Sequence, residues 1–225
     1  MLTDDARLPT GIAYSPSARG LRVGGDWYDA FAIAEDRIAL VVGDVVGRGL
    51  EAAATTGQLR SAIRALASTG LAPGALLGAL DAYAHRHDVG RCATVAYAEI
   101  DVARGAMLLG CAGHMPPAVV EPGERARYVL DGRSAPLDVY RTPTARPQAE
   151  IRFSPGAVLV FFTDGLIERV GEPLDDSLAA LLTELDRRRD RTPQAFADDV
   201  TAAMLDRVET KDDVCLVAAG WTGPR

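Results

Sequence analysis

Apolar and polar positions along the chain predict strands, a pair of helices, more strands, a second pair of helices and a closing strand. Ile38 to Val42 is an unbroken apolar run and reads as the buried part of a strand, Arg37 to Val46. Before it, Leu21 to Ala34 alternates loosely through Val23, Trp27, Phe31 and Ile33, interrupted by Gly24-Gly25-Asp26. Only Glu35-Asp36 separates the two, so they form an antiparallel hairpin with Asp26 and Asp44 at one end. Gly11 to Ser15, ended by Pro16, is a further short strand.

Leu50 to Leu66 carries Leu50, Ala53, Ala54, Ile63 and Leu66 at helical spacing and stops at Gly70. Pro73 to Ala84 repeats the pattern with Leu76, Leu77, Leu80 and Tyr83. His85 and His87 at its end read as solvent-facing rather than metal-binding. Arg91 to Asp101 and Gly105 to Gly113 form a second hairpin, which Val119 and Val120 continue. Residues 121–147 are proline-rich and loop-like, with one short strand at Tyr128-Val129-Leu130. Glu150 to Phe153 and Ala157 to Phe162 are strands around the turn Ser154-Pro155-Gly156.

The second helix pair shows two apolar stripes. One is Leu174, Leu178, Leu181, Leu182 and Leu185; the other is Phe196, Val200, Met204 and Val208, opened by Thr192-Pro193 as cap and first residue. Arg187-Arg188-Arg189 reads as a solvated helix end, and Val214 to Ala219 is the last strand. Hairpins rather than single crossover helices link the strands. The expected architecture is therefore α+β, with antiparallel sheets flanked by helix pairs in one domain over residues 1–225.

Composition narrows the function classes. A net charge of -7 argues against nucleic acid or an anionic membrane as the main partner, and leaves many carboxylates for hard cations. No apolar run nears the ~18 residues that cross a bilayer. Met1-Leu2-Thr3-Asp4-Asp5 lacks the shape of a secretory signal, so the chain reads as cytoplasmic. Cys92, Cys111 and Cys215 are widely spaced, without C-x-x-C, and read as buried reduced thiols.

The chemistry lies in aspartates at strand ends. Asp26, Asp44, Asp164 and Asp212 each stand beside a turn, with Asp213 a fifth candidate. Carboxylates gathered together repel unless a cation sits among them. Oxygen ligands without histidine suit Mg²⁺ or Mn²⁺ rather than zinc or copper. Two such cations, about 3.5–4 Å apart, activate a water and neutralise a phosphate. The chain shows no Ser-His-Asp or reactive-cysteine pattern that would supply another nucleophile.

Five segments, in order, carry a resemblance: Gly24-Gly25-Asp26-Trp27-Tyr28-Asp29, Val42-Gly43-Asp44-Val45-Val46-Gly47-Arg48-Gly49, Cys111-Ala112-Gly113-His114-Met115-Pro116-Pro117, Phe162-Thr163-Asp164-Gly165 and Asp212-Asp213-Val214-Cys215-Leu216-Val217. Together they resemble the metal-dependent protein phosphatases of the 2C type, in the bacterial SpoIIE/RsbU branch. The resemblance implies an αββα sandwich holding two divalent cations, Mn²⁺ or Mg²⁺, at one edge. It implies that Asp44 bridges both ions, that the Val45 carbonyl and Asp26 attend the second, and that Asp164 and Asp212 hold the first. Catalysis would then rest on Asp44, Asp164 and Asp212 through the activated water, with Asp213, Asp29 and His114 in support.

By the same resemblance, the substrate is a phosphoserine or phosphothreonine on a small anti-anti-sigma (STAS-type) protein, and the setting is sigma-factor regulation. Branch members carry sensory domains upstream, such as PAS or GAF, so the chain would be the catalytic piece of a larger regulator. Two positions depart from the pattern: Arg48 stands where Gly-His-Gly is commoner, and Cys215 replaces a usual threonine. Arg22, four residues before Asp26, is a candidate for a phosphate contact.

Two rival readings remain. Gly47-Arg48-Gly49-Leu50-Glu51-Ala52 fits G-x-G-x-x-A of a dinucleotide-binding turn, but no acidic residue follows between Glu51 and Asp81. The other rival is a silent or partner-gated metal-binding module of the same fold.

Overall fold

The computed structural model describes residues 5–15, 25–140, 146–169, 171–206 and 212–224. The strands are β1 (Thr10–Ser15), β2 (Trp27–Ala34), β3 (Arg37–Asp44), β4 (Thr94–Asp101), β5 (Ala106–Ala112), β6 (Ala118–Val120), β7 (Arg127–Tyr128), β8 (Arg133–Ser134), β9 (Ala149–Arg152), β10 (Val158–Phe162) and β11 (Val214–Gly220). The helices are α1 (Leu50–Ala67), α2 (Pro73–His87), α3 (Leu174–Arg187) and α4 (Pro193–Leu205). One sheet has the order β1-β11-β10-β6-β7; the other runs β2-β3-β4-β5-β8, with β9 also paired to β5. All pairings are antiparallel except the short β5–β8 pair.

The near-continuous apolar strands arise because each central strand is covered on both faces. In β3, Ile38, Leu40 and Val42 enter the core between the sheets, while Ala39 and Val41 meet α1 and α2. In β11, Cys215, Val217 and Ala219 face the other sheet, and Val214, Leu216 and Ala218 meet α3 and α4. The result is the expected four-layer αββα sandwich. The Rossmann alternative falls here, because β3 pairs antiparallel with both β2 and β4.

Several expectations change. Val119 and Val120 do not continue the second hairpin; β6 pairs with β10 in the opposite sheet. The two strands around Ser154-Pro155-Gly156 also part company, β9 joining β5 and β10 joining β6 and β11. In both places the chain crosses between sheets, which an apolar alternation cannot distinguish from a hairpin. In the loop-like stretch, the strand expected at residues 128–130 lies at Arg127–Tyr128, and β8 was not expected. In α1 the buried stripe is Ala52, Leu59, Ile63 and Ala67, and Leu50 points to solvent.

Cys111 and Cys215 are buried, but Cys92 is exposed, at a positive φ of 62° just before β4. Arg189 does more than end a helix, donating to the Glu121 and Glu124 carbonyls at 3.1 and 2.7 Å. His85 is half-exposed and its Nδ1 lies 2.8 Å from Asp138 Oδ1. Arg22, Gly24 and Val208 lie outside the described residues. Among the described residues, no helix is long and apolar enough to cross a membrane.

Candidate metal centre

The hairpin register sets Trp27 opposite Gly43, so Asp26 and Asp44 leave adjacent strands side by side. Glycine is required here for close approach. A Cβ on Gly25 would lie 2.1 Å from the Val45 carbonyl oxygen and 2.8 Å from Asp44 Oδ1. Val45 N in turn donates to the Gly25 carbonyl at 3.2 Å. A Cβ on Gly43 would strike the Trp27 ring at 2.6 Å.

The second sheet supplies the other side. Thr163 is fully buried and ties β10 to β11: its N–H donates to the Cys215 carbonyl at 3.0 Å, and its Oγ1 accepts from Cys215 N at 2.9 Å. That clamp starts the single 3₁₀ turn Asp164–Leu166 beside the head of β11. Gly165 packs so closely on Asp213 that a Cβ would reach its carbonyl oxygen at 2.0 Å.

Asp26, Asp44 and Asp164 thereby offer carboxylate oxygens that all lie within 4.8 Å of one another. Asp212 stands just outside this triad. It is half-exposed, accepts from Asp213 N at 2.9 Å, and lies 3.9 Å from the Arg48 guanidinium. Its charge still raises the pKa of both Asp44 and Asp164. Asp213 is itself buried, and its backbone amide orients Asp212.

Asp29 is drawn away from the cluster. Arg64 of α1 grips it bidentately, at 2.7 Å to each oxygen, and stacks on the Phe31 ring at 4.5 Å. His114 is buried, its Nδ1 2.8 Å from Thr94 Oγ1, and Thr94 faces Asp44 across β3 and β4. Burial pushes its imidazole pKa down to about 4, so it is neutral at pH 7.

The electrostatics of the triad are compatible with a bound cation. Burial first, then the neighbouring carboxylates, pushes Asp26 up to about 9, against the Thr163 hydroxyl, which lowers it. Burial and Asp44, Glu168 and Asp212 push Asp164 up to about 6. Asp44 is raised as well, by burial and then Asp212. Asp26 Oδ2 is buried with no hydrogen-bond partner among the described residues. A buried carboxylate oxygen lacking a donor, inside a cluster of like charge, fits a hard divalent cation.

Three participants were not anticipated. Glu168 lies one helical turn beyond Asp164, a spacing visible in the sequence, and adds its charge to that residue. Tyr14 of β1 feels Asp213 and Asp26, and burial first raises its pKa to about 12. Thr163 was seen only as part of a motif; its clamp depends on β11, from a distant part of the chain.

A sandwich of two sheets, with acidic strand ends converging at one edge, defines a domain of the 2C phosphatase type. The family model described as Stage II sporulation protein E (SpoIIE) matches residues 34–222, and the chain belongs to that family. The RsbU and RsbW domains of Rv1364c from Mycobacterium tuberculosis superpose with a TM-score of 0.87 at 35% identity, covering 97% of this chain and 62% of that one. The PP2C phosphatase domain of SpoIIE from Bacillus subtilis, with a fragment of its regulatory domain, superposes with a TM-score of 0.82 at 18% identity, covering 95% of this chain and 63% of that one.

Among curated proteins, the phosphoserine phosphatase RsbP of Bacillus subtilis is 26% identical over 151 residues, 65% of this chain and 37% of its own length. The phosphoserine phosphatase RsbU of the same organism is 24% identical over 148 residues, 65% of this chain and 44% of its length. The chain thus spans less than half the length of these relatives.

Proposed function

We propose that this chain is a cytoplasmic, Mn²⁺- or Mg²⁺-dependent serine/threonine phosphoprotein phosphatase, the catalytic piece of a larger regulator. The observation that carries the reading is the triad Asp26, Asp44 and Asp164, with oxygens within 4.8 Å and one buried oxygen lacking a donor. Asp44 would hold both ions, the Val45 carbonyl and Asp26 the second, and Asp164 and Asp212 the first. Bound divalent cations supply Lewis-acid charge that activates water and neutralises the phosphate.

The remaining residues position these groups. Thr163 holds Asp164 to the head of β11, Asp213 N orients Asp212, and the Asp29–Arg64 pair joins α1 to β2 behind Asp26. Burial pushes Cys111 up to about 11 and raises Cys215 further, so both stay thiols at neutral pH and offer no nucleophile. Curated relatives named phosphoserine phosphatases support a phosphorylated protein as substrate. We take it to be a small STAS-type anti-anti-sigma protein, whose dephosphorylation frees it to capture an anti-sigma kinase.

The test compares the chain with Asp44→Asn on p-nitrophenyl phosphate and on a phosphorylated STAS-type protein, with and without Mn²⁺. Expected is Mn²⁺-dependent turnover that falls roughly 10³-fold in the variant, as loss of several kcal/mol of charge stabilisation requires. Mn²⁺ binding without turnover of either substrate would favour a silent or partner-gated module. No Mn²⁺ binding would overturn the metal centre itself.

A further inference from the structure

The geometry points to Arg48 as the residue that holds the substrate phosphate, with the cleft beside it taking the polypeptide that flanks the phosphorylated side chain. This rests on the phosphatase reading and names a substrate contact for it.

Arg48 stands on the turn between β3 and α1, between Gly47 at φ 110° and Gly49 at φ 84°. Side chains rarely adopt those angles, so the two glycines let the backbone turn sharply and carry Arg48 out over the acidic edge. Its guanidinium lies 3.9 Å from Asp212 Oδ1, and its side chain is half-exposed. It is therefore beside a predicted metal ligand and reachable from solvent. A phosphomonoester entering this edge brings negative charge to a cluster of carboxylates. A guanidinium fork at the rim matches phosphate geometry with two parallel N–H donors, which a histidine at the same position does not offer.

The turn continues into a cleft of about 200 Å³, walled by Val45–Gly47, the start of α1 through Thr55, and the segment Asp88 to Arg91 after α2. Val45, whose carbonyl is one of the proposed ligands, and Arg48 both line this cleft, which places it beside the proposed reacting centre. Val46 and Leu50, on either side of Arg48, are 68% and 77% exposed. Apolar side chains held in solvent around a cation suit a protein substrate better than a small phosphate ester.

The experiment uses the Mn²⁺-loaded chain with Arg48→Ala, Arg48→Lys and Thr55→Trp, which narrows the cleft. Arg104→Ala removes a charge from the exposed turn between β4 and β5 as a control. Inorganic phosphate binding is followed by calorimetry, Mn²⁺ binding is titrated separately, and kcat and KM are measured on a phosphoserine protein and on p-nitrophenyl phosphate. Arg48→Ala is expected to weaken phosphate binding and raise KM roughly 10-fold or more, the loss of a charge-assisted hydrogen bond pair. Arg48→Lys should recover part of this. Thr55→Trp should raise KM for the phosphoprotein more than for p-nitrophenyl phosphate, and Arg104→Ala should change neither.

Unchanged phosphate affinity in Arg48→Ala would overturn the inference. So would a defect that disappears at higher Mn²⁺, since Arg48 would then act only through Asp212. Absence of turnover in the wild-type chain would count against the phosphatase reading, while the calorimetric arm would still decide the role of Arg48.

Discussion

Two groups of buried aspartates in this protein are treated in opposite ways. Asp81 of α2 is 3% exposed and its Oδ1 receives Arg146 at 2.7 Å and the Asp138 backbone N–H at 2.8 Å. Arg146 also donates to Ser134 Oγ at 2.9 Å and to the Pro136 carbonyl at 3.2 Å, stapling the loop-rich stretch after β8 to the helix. Asp29 is likewise matched by Arg64. Asp26 is about as buried, yet its neighbours are Asp44, Asp164 and Asp213, and one of its oxygens has no donor. Where the role is structural, the chain supplies the counter-charge from within; among the described residues no ion pair meets Asp26, and the proposed divalent cations would supply its counter-charge.

Four measurements would break or sharpen this contrast. The largest effect is expected from Arg146→Met, which leaves Asp81 buried and uncompensated. It should cost about 3–5 kcal/mol in denaturant unfolding, and Asp81→Leu combined with it should recover much of the loss. A small cost for the single variant would mean that Asp81 is not held as a buried charge.

Next is pH. Asp26, at about 9, binds a proton in the fold that the unfolded chain, near 4, has released. The stability associated with that proton is present at low pH and is lost as pH rises through the folded pKa. Between pH 6.5 and 9 the chelator-treated protein should therefore lose stability, approaching about 1.4 kcal/mol per pH unit for one proton. Below pH 6.5 the depressed His114 acts in the opposite sense. Saturating Mn²⁺ should flatten the slope in a thermal-melt series, and an equal slope with and without Mn²⁺ would argue against the site.

Asp26→Asn is expected to have the opposite sign from Arg146→Met. At pH 8 Asp26 has to take up a proton to enter the fold, and a neutral amide does not, so the variant should stabilise the chelator-treated protein by about 1–2 kcal/mol or more, while weakening Mn²⁺ binding in calorimetry. Destabilisation instead would show that Asp26 is a packing group.

Arg64→Ala should be the mildest. Arg64 is nearly half exposed, and Arg60 lies 3.7 Å from the same carboxylate, so solvent and a second guanidinium temper the loss. About 1 kcal/mol is expected by chemical denaturation. A loss as large as that of Arg146→Met would show that Asp29 depends on this one partner.

Much of the site could be read from the chain because its elements are local. The Glu35-Asp36 turn forces the β2–β3 hairpin, and the hairpin register puts Asp26 beside Asp44. Thr192 caps α4 as expected, accepting from Ala195 N at 3.4 Å. The misreadings fall where two sheets compete for the same kind of strand. Val119-Val120 and Ala157 to Phe162 are apolar on both faces, so their pattern carries no record of which sheet they join. Leu50 misled for another reason: it sits at the first helical position, over the exposed turn rather than over the sheet.

The amino-acid sequence by itself determined the β2–β3 and β4–β5 hairpins, the helix pairs and the family, because short turns, helical periodicity and motif order are local properties of the chain. It also named the acidic residues. Only the tertiary structure decided that Asp164, 120 positions beyond Asp44, meets Asp26 and Asp44 while Asp212 stays at the rim beside Arg48. That choice depends on Gly25 and Gly165 letting backbones from different strands approach closely and on Thr163 binding β10 to β11. Such contacts join residues far apart in the chain, and their distances are set by packing rather than by any neighbouring residue.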